Sequence, residues 1–252
     1  MIPLDGKTHI IIYACKRPAA LQNLLSDLDR EAIDEMLVSI FDDASDIDSM
    51  KVAREYATNR GWGWHRSPNQ HGQSRFHEWV TESYKHLQKS EAQNFVILPD
   101  DCRLCTSFFT RLEQAWTSIS DPRKIVLTFH ADCLRTKNPC WTNVSPSTYN
   151  ELVNKVGWVD AGFFFCTRSF FNLLYWTVRP RHVPLVYRES GVGKKITMQL
   201  TQNKLGMYLT RSSLVVHLAN QSVMFPEKEQ QGEPVTTVCF IDGDDRAKEL
   251  GG

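Results

Sequence analysis

Two stretches of the chain run from apolar residues straight into paired carboxylates: Ser39-Ile40-Phe41-Asp42-Asp43 and Phe95-Val96-Ile97-Leu98-Pro99-Asp100-Asp101. A short apolar run of this kind suits a buried strand, and a proline ends its ladder because it has no N–H to donate. Asp100 and Asp101 would then sit at the strand's C-terminal lip, where open α/β sheets bind their ligands. Adjacent carboxylates repel each other unless something neutralises them, and a hard divalent cation does that well. The chemistry expected here is a metal site for a diphosphate. The alternative is a solvated Asp-Asp turn.

Other residues could join that chemistry. His217 directly follows the apolar run Leu214-Val215-Val216. It is either a core or rim histidine or a further ligand beside Asp101, and carboxylate plus imidazole suits Mn²⁺ better than Mg²⁺. Asp160 lies inside the apolar segment Gly157-Trp158-Val159-Asp160-Ala161-Gly162. Buried alone it would be costly, so it should have a partner or face a pocket, as a general base or a ligand of an acceptor hydroxyl. Arg179, Arg181, His182, Arg188, Lys194 and Lys195 form a basic stretch. It reads as a solvated loop or as an anion-binding surface for a diphosphate or a nucleic-acid backbone. Trp141, Trp158 and Tyr187 are core residues or stacking platforms beside it. Cys102-Arg103-Leu104-Cys105 has no second C-x-x-C to complete a zinc site, so core packing is expected for both thiols. No G-x-G-x-x-G follows the first strand and no G-x-x-x-x-G-K-[ST] is present, which argues against dinucleotide-fold and P-loop chemistry.

The elements that must position these residues alternate. Thr8 to Ala14 reads as a first buried strand. Pro18 suits the first position of a helix with Leu21, Leu24, Leu25 and Leu28 on one face. Met36 to Phe41 follows as a second strand. Strand, helix and strand in this order make a βαβ unit and hence a parallel sheet. A short helix is predicted over 49–59, a strand at 62–65, a polar loop over 67–73, and a helix over 75–88 leading into the Asp100-Asp101 strand. Thr106-Ser107 is expected to cap a helix carrying Phe108, Phe109, Leu112, Ala115 and Trp116. Strands are expected at 125–129, 207–209 and 213–217, with helices beginning at 169 and 195. The polar tail from Pro226 is expected to end in a mobile segment, 242–252.

The chain has 252 residues, with 42% hydrophobic, 23% charged and a formal net charge of zero. That is an ordinary globular composition, and it argues against broad nonspecific nucleic-acid binding while leaving a local basic patch open. Seven scattered cysteines suit reduced core thiols in a cytoplasmic protein better than a disulfide framework. No stretch approaches the length of a membrane span, so no membrane partner is expected.

The order of features over residues 8 to 225 resembles the GT-A-fold nucleotide-sugar glycosyltransferases. The resemblance rests on Ile10-Ile11-Ile12-Tyr13-Ala14 with Arg17-Pro18, on Ser39 to Asp46, on Leu98-Pro99-Asp100-Asp101, and on the late segment running through Gly206 to His217. It implies one GT-A-like (Rossmann-like) α/β domain, a mixed and mostly parallel central sheet flanked by helices. Residues 1–105 would form a nucleotide-binding half, 106–225 an acceptor half and 226–252 a tail. It implies transfer of a sugar from a nucleoside-diphosphate donor, UDP-linked, with Mn²⁺ or Mg²⁺ as cofactor. By the resemblance, Tyr13, Ala14, Arg17 and Asp42 or Asp43 hold the nucleotide, Asp101 and His217 the metal, and Asp100 the ribose or sugar. Gln70 to Arg75 resembles the donor-positioning loop, and Lys194 and Lys195 would assist the departing diphosphate. A narrower resemblance, through that loop, Leu98-Pro99-Asp100-Asp101, Ser190-Gly191-Val192-Gly193 and Ser213 to His217, is to phage-type enzymes that decorate hydroxymethylated pyrimidines in DNA, acting in the host cytoplasm. Trp158, Arg179, Arg181 and Arg188 would then face the acceptor. Inverting members carry a Glu-Asp pair where this chain has Ser190-Gly191-Val192-Gly193-Lys194. Glu189 or Asp160 would substitute as base, or the enzyme retains configuration and needs none. A glycan, lipid or protein acceptor, a nucleotidyltransferase, and a non-catalytic binding module are the alternatives.

Overall fold

The computed structural model describes residues 8–31, 33, 36–131, 147–178, 191–218 and 239–250. The chain opens with β1 (Thr8–Ala14), α1 (Pro18–Arg30), β2 (Leu37–Asp42), α2 (Lys51–Asn59), β3 (Gly63–Arg66), α3 (Gly72–Leu87) and β4 (Asn94–Pro99). There follow β5 (Cys102–Leu104), α4 (Phe108–Thr117), β6 (Lys124–Thr128), β7 (Ser147–Thr148), β8 (Val153–Val156) and β9 (Phe164–Thr167). The described residues close with α5 (Arg168–Leu173), α6 (Val192–Gln202), β10 (Gly206–Thr210), β11 (Val215–His217) and α7 (Asp244–Glu249).

Among the described residues the main sheet has the order β3-β2-β1-β4-β9-β6-β10-β8-β7. β1 pairs in parallel with both β2 and β4, and β2 in parallel with β3. β9 is inserted antiparallel between β4 and β6, so β4 and β6 themselves point the same way. The sheet is mixed: β3, β2, β1 and β4 are parallel neighbours, and β10 pairs in parallel with β6. The chain winds outward through β1, β2 and β3, then returns to β4 on the other side of β1. That reversal falls at β1 and β4, and the C-terminal ends of strands at such a switch point are where open sheets take ligands.

Both faces of the sheet are covered, which explains the unbroken apolar runs. Ile10, Ile12, Val96 and Leu98 pack into one core with α1 and α4. Ile11, Tyr13, Phe95 and Ile97 pack into the other with α3, α5 and α6. Cys102 and Cys105 are fully buried free thiols in the first core, as expected of the C-x-x-C.

Two expectations are corrected. Ser107 takes a left-handed conformation and makes no side-chain cap on α4. The Phe109 N–H instead donates to Glu31 Oε2 at 3.3 Å, and Thr106 Oγ1 is bonded to Asp242. The segment 242–250 is packed rather than mobile: Phe240 and Ala247 are buried, Asp242 pairs with Arg111 at 2.8 Å, and Asp244–Glu249 is helical. Its polar composition concealed an apolar anchor at Ala247, beside Phe240, and a carboxylate at Asp242 with partners at Thr106 and at Arg111 of α4. Among the described residues no helix is long and apolar enough to cross a membrane.

Candidate functional site

The lip is built from three strand ends. Asp100, directly after β4, donates its N–H to the Tyr13 carbonyl of β1 at 2.9 Å. Asp100 has no solvent exposure, and its Oδ2 accepts the Cys15 N–H at 2.7 Å. Arg17, at the start of α1, brings its guanidinium to both aspartates: Nη2 lies 3.1 Å from Asp100 Oδ1, and Nη1 contacts Asp101 Oδ2. Burial pushes the Asp100 carboxyl up to about 6, against the pull of Arg17.

His217 reaches the same place from the far end of the chain. β11 pairs antiparallel with β5 in a separate two-stranded sheet, with His217 in register with Cys102. The Leu218 N–H donates to the Asp101 carbonyl at 2.8 Å, locking the two segments side by side. His217 Nε2 then stands 3.1 Å from Asp101 Oδ2.

Asp160 approaches along a third path. Gly162 packs beside both Asp160 and Pro99, since a Cβ there would lie 3.7 Å from Asp160 Oδ1 and 3.8 Å from Pro99 Cγ. Asp160 Oδ1 accepts the Gly162 N–H at 3.0 Å, and Oδ2 faces His130 Nδ1 at 3.9 Å. The His130 ring is 5.7 Å from that of His217 and 4.5 Å from that of Phe163. Asp160, His130 and His217 thus form a run of neighbouring side chains that leads to Asp101 and Arg17. α6 supports this run: Thr197 Oγ1 accepts the Val159 N–H at 3.0 Å, and Gly193 packs directly on the Val159 carbonyl.

Not every candidate faces the lip. Tyr13 is buried with its hydroxyl on Ser83 Oγ at 2.6 Å, which leaves its backbone carbonyl as its contribution. Ala14 is likewise buried, and its carbonyl accepts the Asp43 N–H at 2.9 Å. Asp42 closes its own turn by accepting the Ser45 N–H at 3.1 Å, and Asp43 accepts both the His71 N–H and His71 Nδ1 at the start of α3. Arg75 is exposed and paired with Glu78, Lys194 is exposed, and Lys195 is buried. Trp158 is buried in the core, so it offers no stacking surface. Arg179, Arg181, Arg188 and Glu189, with Trp141, His182 and Tyr187, lie outside the described residues.

The sequence reading missed His130 and the specific contact made by His71. His130 comes just after the apolar run Ile125 to Phe129, as His217 comes just after Leu214-Val215-Val216, and that shared pattern was the available signal. His71 lay inside the polar loop already singled out, but its partner Asp43 was not foreseeable.

Among the described residues no three acidic, cysteine or histidine side chains form a ready metal cage. Asp101 and His217 do fit as two neighbouring ligands. Their donor atoms are 3.1 Å apart, close to the edge of roughly 3 Å expected of an octahedron with bonds near 2.1 Å. Asp100 Oδ1 is buried beside them and paired with Arg17 Nη2 at 3.1 Å.

No protein-family model matches the chain, and no curated protein matches it. Solved structures do. A mannosyltransferase from Pyrobaculum calidifontis, in complex with GDP-Man and Mn²⁺, superposes with a TM-score of 0.55 at 13% identity over 80% of this chain. S. aureus TarS 1–349, in complex with UDP-GlcNAc, gives 0.57 at 12% identity over 83%. GalNAc-T7 with UDP, GalNAc and Mn²⁺ gives 0.56 at 12% identity over 81%. The fold is GT-A. This chain spans 53%, 57% and 42% of those three chains, so about half of their length has no counterpart here. In GT-A terms the lip lies at the C-terminal ends of the parallel strands, and the small β5–β11 sheet is what carries His217 to it.

Proposed function

We propose that the chain is a metal-dependent glycosyltransferase that moves a sugar from a nucleoside-diphosphate donor to an acceptor hydroxyl. The observation that carries this reading is the meeting of Asp101 and His217 at 3.1 Å on the lip where β4 ends. The GT-A fold and the nucleotide-sugar complexes of its structural neighbours support it.

Asp101 and His217 would hold Mn²⁺ or Mg²⁺, the mixed oxygen and nitrogen donors favouring Mn²⁺. When bound, the cation supplies Lewis-acid stabilisation of charge on the departing diphosphate. Arg17 carries positive charge at the same point. The lip turns at Ala14 to Arg17 and at Asp42 to Ser45 would offer backbone carbonyls to the nucleotide, since the N–H groups of Cys15, Lys16, Asp43, Ala44 and Ser45 are bonded within the protein. Both turns are set by left-handed residues, Lys16 at φ 55° and Ala44 at φ 53°. The Lys16 N–H donates to Ser45 Oγ at 2.8 Å and ties one turn to the other. Lys194, exposed at the start of α6, can reach outward toward diphosphate oxygens, and Arg75 is placed on the first turn of α3. In the transfer, the acceptor oxygen bonds to the anomeric carbon as the bond from that carbon to the diphosphate oxygen breaks. For an inverting course, Asp160 takes the acceptor proton, held in place by the Gly162 N–H and His130. On this reading residues 1–105 form the donor half and 106–225 bring Asp160 and His217 to it. Buried free thiols at Cys102, Cys105 and Cys166 accord with a reducing compartment such as the cytoplasm.

The deciding experiment measures release of UDP or GDP from nucleotide sugars with and without Mn²⁺. Full activity of Asp101→Ala would end the metal assignment, and release of pyrophosphate from nucleoside triphosphates would favour a nucleotidyltransferase. For the acceptor we propose hydroxymethylated pyrimidine in DNA, on the basic residues between 179 and 195. Binding to such duplexes should weaken steeply with salt. No binding at low salt would direct the search to glycan, lipid or protein hydroxyls.

A further inference from the structure

We infer that Arg17 is a tethered counter-ion that keeps a divalent cation off Asp101 until an anionic ligand draws the guanidinium away. This rests on the reading of Asp101 and His217 as metal ligands. Arg17 contacts the same Asp101 oxygen, Oδ2, that faces His217 Nε2. Its other terminal nitrogen lies 3.1 Å from Asp100 Oδ1. The guanidinium and a metal ion therefore compete for one carboxylate edge, and two positive charges cannot share it cheaply once water is displaced. The arginine also sits where it can leave. Its side chain is 19% exposed, and its Nε is buried with no hydrogen-bond partner among the described residues. In its present place the guanidinium thus leaves one donor unused, and an anion such as a diphosphate would offer it a fuller set of partners, since arginine matches phosphate oxygens with two parallel N–H donors.

The protein itself offers the cation few ligands, since no three candidate side chains converge among the described residues. A cation arriving alone finds two side-chain ligands, Asp101 and His217, and must first displace Arg17. Its intrinsic affinity is multiplied by the fraction of molecules in which Arg17 has already moved, so the rarer that state, the weaker the apparent binding. A ligand that holds Arg17 elsewhere removes that penalty. The consequence is an ordered lip, closed to metal without an anion and open with one.

The test measures Mn²⁺ binding to the whole chain in the absence of any nucleotide, by electron paramagnetic resonance of free Mn²⁺ and by thermal stabilisation. Arg17→Gln is expected to bind Mn²⁺ at least about tenfold more tightly than the unaltered chain, and to gain more in melting temperature from it. Arg246→Gln, on the exposed face of α7, should follow the unaltered chain. Should Arg17→Gln fold poorly with its carboxylates unpaired, Arg17→Lys replaces it. The lysine loses the two-pronged contact, and several-fold tighter Mn²⁺ binding is expected. Binding by either variant that is no tighter than the unaltered chain overturns the inference. If none binds Mn²⁺ at all, the inference falls together with the metal assignment. The donor reading is tested separately, through thermal stabilisation by UDP and GDP sugars without added metal.

Discussion

Asp101 has three neighbours that matter: Arg17 and His217 at its carboxylate, and the Leu218 N–H at its carbonyl. Loss of the carboxylate removes a direct metal ligand. Asp101→Asn should lower metal-dependent donor turnover by more than about a hundredfold, beyond the range seen when only an outer-shell partner is altered. A Mn²⁺ titration at fixed donor concentration checks this, and His217→Gln should raise the Mn²⁺ requirement in the same assay. Asp160 makes a different prediction. As a general base, its replacement by Asn should cost about 10²- to 10⁴-fold in kcat, with the KM for donor unchanged. An equal change in KM would assign Asp160 to binding instead. The types of these residues were legible in the sequence, because carboxylates after apolar strands and an aspartate inside an apolar run both demand a partner. Their partners were not legible. His130 and Asp160 are thirty residues apart and meet only because β9 turns back between β4 and β6.

At the scale of elements, α1 and β5 are clasped at both ends. Arg17 holds Asp100 and Asp101 at one end. At the other, buried Asp27 accepts Arg103 Nε at 2.7 Å, Arg103 Nη2 at 2.9 Å and the Leu104 N–H at 2.9 Å. Removing one partner of such a pair leaves a buried charge uncompensated, so Asp27→Ala should destabilise the fold by about 3–5 kcal/mol, measured by urea unfolding. The elements themselves followed well from periodicity: α1 begins at Pro18 as expected, and the apolar faces of α3 and α4 are the buried ones. Close approach was invisible to periodicity. A Cβ at Gly193 would come within 2.5 Å of the Val159 carbonyl oxygen, backbone that cannot yield. Gly193→Ala should therefore push α6 off the segment bearing Asp160. The expected cost is about 1–3 kcal/mol of stability, and transfer activity should fall more than donor binding measured by calorimetry.

For the molecule as a whole, the end of the sheet remote from the lip responds to acid. His9 is held between Ser39 Oγ at 2.9 Å and Ser90 Oγ at 3.1 Å. Burial first, then the nearby His86 and His65, push its imidazole down to about 4 from the ordinary 6.5. His65 and His86, their rings 3.9 Å apart, are lowered as well, chiefly by burial. Below 6.5 the unfolded chain takes up a proton at His9 that the folded chain refuses until about 4, so stability is lost as pH falls through that window. The share due to His9 is about 3 kcal/mol. Urea unfolding followed from pH 7 to pH 4 should show this decline, and His9→Gln should flatten it. An unchanged slope in that variant would assign the acid sensitivity elsewhere.

The sequence by itself determined the layered α/β architecture. Apolar runs of strand length between amphipathic helices can bury both faces only in a sheet covered on both sides. It also determined that acidic residues would gather at one lip, because successive parallel strands end on the same edge. Tertiary structure alone decided which of them act together. β11 pairs with β5 rather than joining the main sheet, and so lays His217 on Asp101 across 116 residues of chain. Asp42 and Asp43 have the same local sequence character, yet they are turned inward to Ser45 and His71. Local patterning sets what a residue is able to do; its hydrogen-bond partner, supplied from a distant strand, decides whether it is left available to do it.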